Sequence, residues 1–455
     1  MLPLILLPGP PNIVARDPQT SSGRFSTFAR TASRFAAILA LLAFFGAGLW
    51  LITIWMHYSQ VETLRASCQR WQTEQNWSKL LLAAQEWRRL EPRNREAMQA
   101  GATAGKELRQ PASAVEFLKN YPADSKEDIP WLTMLADMQF GPLRTPLEGI
   151  KPSLQILKID PRSIDTRRRL IFFYAVTVQP VELLSNVREA AENEGDLPEF
   201  YAYAFLADGL KLRNALDRIK IWMGTEREEL LMVAYALNTA RNLEGGVPPI
   251  DEVEATKLRN SQAQRASYLQ KLRDMFPHNH QVLAYDLGQA VNAGQTLTCA
   301  ELLERATSIA DTDYRFWRAR GWLFLKAGEL SEAQQAFTEA LRLHPIDWRT
   351  RYYLAELSRR NRNLEFADQQ YQLAAEGKQL EADFLAAADV QRISPELFFR
   401  LREFAQRCGD ELTARRLKQV VSVTESTKPD GAGPGSAELE SARQSSDAPV
   451  TTTPP

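Results

Sequence analysis

Few residues of this chain stand at spacings that could do chemistry. Its four histidines are His57, His278, His280 and His344. Only His278 and His280, in Pro277-His-Asn-His280, are near neighbours; a metal there would need a third ligand at a recognisable spacing, and none follows. The three cysteines, Cys68, Cys299 and Cys408, are far apart and form no CxxC, which excludes a disulfide framework and a zinc ribbon. They read as small apolar residues of a core. No phosphate-binding glycine loop, nucleophile elbow or HExxH motif occurs. The acidic residues are scattered along helical faces instead of converging. The residues therefore predict no enzyme, no metal and no cofactor.

With 44% apolar and 24% charged residues, the chain has the composition of a folded protein. A formal net charge of −1 gives no general attraction to nucleic acid, and none is expected as a partner. Recognition has to come from local surfaces on whatever elements the pattern builds.

The first element is a run of 22 residues without a charge, Phe35 to Met56. At about 1.5 Å per residue it covers roughly 33 Å, enough for a hydrocarbon core of about 30 Å. Eleven of its residues are Leu, Ile or Phe, each favouring insertion by about 0.3–0.6 kcal/mol. Trp50, Trp55 and Tyr58 sit near one end, where amphipathic rings prefer an interface. The expectation is one transmembrane helix over 35–56, after a mostly disordered tail over 1–34. Arg16, Arg24, Arg30 and Arg34 precede the run and Arg65 and Arg70 follow it, which places the N-terminus in the cytoplasm and the rest outside it. Arginine outnumbers lysine, hinting at a GC-rich bacterial genome and hence an inner membrane. Ala36, Ala40, Ala43 and Ala47 would let anchor helices pair, so a homo-oligomer is allowed.

Beyond the run the chain reads as helices in pairs. One unit, from Tyr314 to Pro345, carries Trp317, Gly321, Phe324, Gly328, Leu330, Ala333, Phe337, Ala340 and Pro345 at positions 4, 8, 11, 15, 17, 20, 24, 27 and 32. These nine positions resemble the tetratricopeptide repeat, although Arg320 stands at position 7, where an apolar residue is usual. The physics agrees: small residues let two antiparallel helices approach, large ones fill the space between, and glycine ends the first helix. A unit from Trp348 carries Leu354, Ala355, Leu364, Ala367, Tyr371 and Ala374 in the same register. A unit from Gln281 carries Ala284, Leu287, Gly288, Val291, Leu297 and Ala300, one residue short of the period. Nearer the anchor, Leu64, Trp71, Trp77, Leu80, Ala84, Trp87 and Pro92 occupy plausible core positions. Between Asp165 and Asn242 four helices are expected but no clean register. From Ser394 to Val423 a last pair with Leu401, Ala405, Gly409 and Ala414 closes the array. The fold class is thus all-α: a transmembrane helix, an α-solenoid over 57–423 with its clearest repeats over 281–376, and a disordered tail over 424–455, rich in Pro, Gly, Ser and Thr.

The resemblance also implies a partner-binding groove lined by positions 2, 5, 9, 12 and 13 of successive first helices. In this chain those are Arg315, Arg318, Trp322, Leu325 and Lys326, then Arg349, Tyr352, Glu356, Arg359 and Arg360, with Tyr285, Gln289 and Asn292 of the preceding unit. Arginines among aromatic rings suit a peptide with acidic side chains or a free C-terminus, because guanidinium pairs with carboxylate in bidentate fashion. The chaperone-tail clamp of some relatives needs other residues at position 9, where Gln289, Trp322 and Glu356 stand. The expected function is a membrane-tethered interaction scaffold. The alternative is a non-catalytic subunit of a membrane enzyme, secretion or envelope assembly complex.

Overall fold

The computed structural model describes residues 25–210, 212, 214–224, 228–243, 251–387 and 393–426; side chains are described from Leu41 to Val421, less a few. The tails over 1–24 and 427–455 lie outside the described residues. No strand occurs among those described. The chain divides into two compact units, residues 1–109 and 110–455.

The first unit opens with helix α1, Phe25–Thr73. The boundaries 35 and 56 mark its apolar stretch, not its ends: the helix starts ten residues earlier and continues unbroken into the folded unit. Leu41–Thr73 is long and apolar enough to cross a membrane, and its most apolar 18 residues, mean hydropathy 1.5, have none of their residues buried within the protein. Leu41, Phe44, Phe45, Trp50 and Trp55 are all exposed. Helix α2 (Trp77–Leu90) and α3 (Arg95–Glu107) pack on its far end through the buried Leu80, Ala84, Trp87 and Met98. Asn76 and Asn94 cap these helices by accepting backbone N–H groups, as short amide side chains do.

The second unit continues with α4 (Pro111–Leu118), α5 (Ile129–Phe140), α6 (Pro146–Ile159), α7 (Ile164–Val176) and α8 (Pro180–Glu192). A short α9 (Pro198–Phe205), α10 (Ala215–Met223), α11 (Glu229–Leu243) and the long α12 (Glu252–Met275) follow. Then come α13 (His280–Asn292), α14 (Thr296–Glu304), α15 (Tyr314–Ala327) and α16 (Leu330–Leu343). The chain ends with α17 (Trp348–Arg360), α18 (Leu364–Ala386), α19 (Pro395–Arg407) and α20 (Glu411–Ser426). Consecutive helices pair as α5/α6, α7/α8, α13/α14, α15/α16, α17/α18 and α19/α20. Within the Tyr314 unit Gly321 is where a close approach is needed: an added Cβ would lie 2.5 Å from the Phe337 ring.

The repeat is more regular than its side chains suggest. A left-handed backbone residue stands in every second interhelical turn, at Gln75, Arg109, Arg144 and Val178, then Gly294, Gly328 and Arg362, and finally Gly409, while one more, Glu194 after α8, lies off this spacing. The spacings are 34, 35 and 34, then 34 and 34, by subtraction of these numbers. Only three of the eight are glycine, which is why the register before residue 178 is hard to read from residue types.

The solenoid is also not simply open. The last pair returns to the helices near residue 200, with α20 packing on α8 and α9. Arg416 donates to Asp196 at 2.6 and 3.1 Å, and the Tyr201 hydroxyl meets the same carboxylate at 2.6 Å. Phe205 packs against Phe384 and Phe404, at ring-centroid distances of 5.7 and 5.9 Å. One apolar core therefore joins α7–α11 to α18–α20. Leu401, Ala405 and Ala414 are buried in it.

Candidate partner-binding groove

The groove lies on the first helices of three successive units. Asp313 and Asp347, 34 residues apart, start α15 and α17 by accepting the N–H of Arg315 at 2.9 Å and of Arg349 at 3.2 Å. In each case an aromatic residue and then an arginine follow, so both arginines emerge in the first turn on the same face. The third helix, α13, contributes Tyr285, Gln289 and Asn292. Together with Arg318, Trp348, Tyr352 and Tyr353 these residues surround a cavity of about 330 Å³.

A segment that no repeat pattern marks closes one side. The sequence reads as helical through Leu210, but α9 ends at Phe205 and the chain turns, carrying Asp208 and Gly209 into the groove wall. Gly209 sits so near Glu381 that an added Cβ would be 3.0 Å from its carboxylate oxygen. Asp208 pairs with Arg318 at 2.6 Å, across 110 residues, and Arg318 also reaches Asp347 at 2.9 Å.

The arginines are consequently engaged. Arg315, 5% exposed, holds Asp313 at 2.6 Å and Gln281 at 2.6 Å. Arg349 forks onto both oxygens of Glu381 at 3.0 Å, where the Trp348 indole also donates. Burial would raise the carboxyl of Asp208, but Arg318, Arg349 and Arg315 hold it well below the usual carboxylate range. Burial likewise opposes ionisation of Asp313, and Arg315 and His280 overcome it. The surface expected to be cationic is thus charge-balanced: each arginine facing the cavity from α15 or α17 has a carboxylate of this chain against it.

Of the nine cationic and aromatic residues at those groove positions, five line the cavity: Tyr285, Arg315, Arg318, Arg349 and Tyr352. The other four do not. Trp322 is 3% exposed and packs with Leu283, Leu287, Cys299 and Phe316, because position 9 faces the neighbouring unit here. Lys326 lies over that indole at 5.7 Å. Arg360 donates to the Leu325 carbonyl at 2.6 Å, closing the end of α15. Arg359 is on the surface, 3.8 Å from Glu356. Tyr352 is 44% exposed and is the most open ring at the rim.

The histidine pair serves the turn before α13. His280 lies 2.8 Å from Asp313 and stacks on Phe316 at 4.6 Å, while His278 contacts the Arg305 carbonyl at 3.3 Å. Asn279 between them caps α13. All three cysteines are buried free thiols, pushed up to about 11 to 12 by burial.

No family model matches the chain, and no curated protein does. Among solved structures it is similar to the anaphase-promoting complex hetero-tetramer Cut9–Hcn1, at 14% identity and a TM-score of 0.29, covering 81% of this chain and 79% of that one. It is also similar to the tetratricopeptide domain of P58(IPK), at 13% identity and a TM-score of 0.22, covering 81% and 99%. The all-α architecture of paired helices stands on the chain's own packing and its 34-residue spacing of turns.

Proposed function

We propose that this protein is a membrane-tethered interaction scaffold, held by α1 and binding a segment of another protein in the α13–α15–α17 groove. The observation that carries the groove is the convergence of Tyr285, Tyr352, Tyr353 and Trp348 around one cavity whose floor is fixed by buried ion pairs. Rings in such a setting bury apolar parts of a peptide at small entropic cost. The tether is supported by an apolar helix wholly exposed within the protein, a surface that water disfavours and lipid accepts. An inner-membrane site with the repeats outside the cytoplasm follows from the arginine bias of the sequence.

The ion pairs refine what the partner must be. A ligand carboxylate has to share Arg349, the most exposed of the groove arginines at 32% of its side chain, with Glu381. An acidic or C-terminal segment is therefore read at the Arg349 rim, and the aromatic side chains next to it by Tyr285 and Tyr352. Arg315 and Arg318 set the shape of the groove.

The test is a photo-crosslinking amino acid at Tyr352 in intact membranes, with a second copy of the experiment at Phe399, exposed on α19 outside the groove. Protein adducts at Tyr352 that are absent at Phe399, and that weaken when Tyr285 is changed to Ala, are expected. Equal adducts at both positions would refute the groove. A single stoichiometric enzyme among the adducts would assign the protein as that enzyme's accessory subunit.

A further inference from the structure

The structure assigns a second membrane contact, in the turn between α2 and α3, and the inference rests on reading α1 as the anchor. Because α1 runs without a break from the apolar stretch to Thr73, height above the bilayer can be counted along it at about 1.5 Å per residue. A three-residue turn joins Thr73 to Trp77, so the ends of α1 and α2 are level. Lys79 confirms the register, with its ammonium 4.4 Å from the Trp71 ring. Counting back at equal rise brings Leu90, the end of α2, level with Gln60. The turn Glu91–Asn94 then lies beside Tyr58, two residues past the end of the apolar run. At the start of α3, Glu96 bonds Arg65 at 2.7 Å, consistent with the same height.

This end of the hairpin is rich in arginine: Arg88, Arg89, Arg93 and Arg95 fall within eight residues. Arg89 and Arg93 are exposed. The acidic residue of the turn is drawn inward, since Glu91 accepts from the Trp87 indole at 3.0 Å and from Asn94 at 2.8 Å. Glu86 shares Arg89 at 2.8 Å, and Glu96 is taken by Arg65. Arg93 thus stands at the tip, at the depth where lipid phosphates begin. We propose that Arg93, with Arg89, rests on the phosphates of anionic phospholipids, so that the first unit is held against the bilayer at two points. Guanidinium suits phosphate because its planar fork donates two parallel hydrogen bonds.

The experiment uses the full chain in lipid nanodiscs of phosphatidylcholine, with or without roughly one-third phosphatidylglycerol. The native cysteines are buried, so a fluorophore on Pro92→Cys reports the turn and one on Glu74→Cys the opposite end, roughly 24 Å farther out at 1.5 Å per residue. With a spin label on the lipid headgroup, quenching at residue 92 several-fold stronger than at 74 is expected. It should rise with phosphatidylglycerol, and fall at least twofold in R89E/R93E or in high salt. Equal quenching at 92 and 74, or quenching indifferent to phosphatidylglycerol and to R89E/R93E, would overturn the inference. Alkaline carbonate separates the two failures: a chain it releases from membranes was never anchored by α1, whereas a retained chain with an unquenched turn refutes this contact alone.

Discussion

Removing Asp196 should unlatch the end of the repeat array. Its carboxylate is fully buried and receives two hydrogen bonds from Arg416, whose side chain is only 10% exposed, and one from Tyr201. The pair links residues 220 apart in sequence. Asp196→Ala leaves a guanidinium with little water, held only by Gln419 at 2.6 Å and by the more exposed Glu194 at 3.7 Å, so the cost belongs at the lower end of the about 3–5 kcal/mol expected when one partner of a buried pair is lost. Arg416→Ala strands the carboxylate instead and belongs in the same range. The double variant removes both charges together, so it should cost clearly less than the sum of the singles, with a coupling of about 1–3 kcal/mol. Tyr201→Phe, which deletes a single hydrogen bond, should cost about 1 kcal/mol. Amide hydrogen exchange reads the effect locally. At roughly 1.4 kcal/mol per tenfold, protection in α19 and α20 should fall by about two to three orders of magnitude in either single variant, while α2 and α3 keep theirs. Singles that change α20 exchange less than tenfold, or that add without coupling, would mean that the ion pair does not hold the last helices on α8 and α9.

The left-handed turns make opposite predictions at equivalent positions. Gly328→Ala places a Cβ at φ +84° and should destabilise by about 1 kcal/mol, whereas Arg362→Gly relieves φ +61° at an exposed site and should stabilise by a similar amount, both read from thermal unfolding. Gly321→Ala drives a methyl into the Phe337 ring and should cost about 1–3 kcal/mol, part of which Phe337→Leu restores; no recovery in the double variant would contradict the packing. Asp128 is subject to burial, which raises its pKa, but bonds from the Asp124 and Ser125 backbone, Tyr121 and Ser125 outweigh that and lower it to about 2. A carboxyl depressed on folding stabilises fully above its unfolded pKa of about 3.9. That stability should therefore be lost as pH falls from about 4 through 2, and Asp128→Asn should abolish this part of the acid dependence in unfolding measured against pH.

The long apolar helix and the three central units were legible because each depends on residue types alone: an uncharged run, small residues facing large ones, and a helix-ending glycine. Asn94 and Asn279, two places after a proline, correctly mark the starts of α3 and α13. A small polar residue two places after a proline is a less exact mark elsewhere, since Ser163 after Pro161 makes no capping bond, and Ser125, not the Asp124 that follows Pro122 by two, starts the turn before α5. Earlier repeats were obscure because Gln75, Arg109, Arg144 and Val178 adopt the turn conformation that glycine advertises. The groove was half visible. Its rings and arginines follow from repeat positions, but Asp208 and Glu381 reach those arginines from outside the repeat register, through contacts spanning 110 and 32 residues. The one local sign of pairing was Asp-aromatic-Arg at 313–315 and again at 347–349: each aspartate caps its helix, but Asp313 neutralises the arginine beside it whereas Asp347 pairs with Arg318 of the preceding unit.

An array whose units touch only their neighbours stretches and twists like a spring. Fastening α20 to α8 and α9 turns the intervening stretch into a hoop, in which no unit can change its tilt unless the others compensate. A ligand bound between α13 and α17, as proposed, would therefore meet a stiff mould. Little freedom remains to be lost on the protein's side, and most of the cost of ordering falls on the incoming chain.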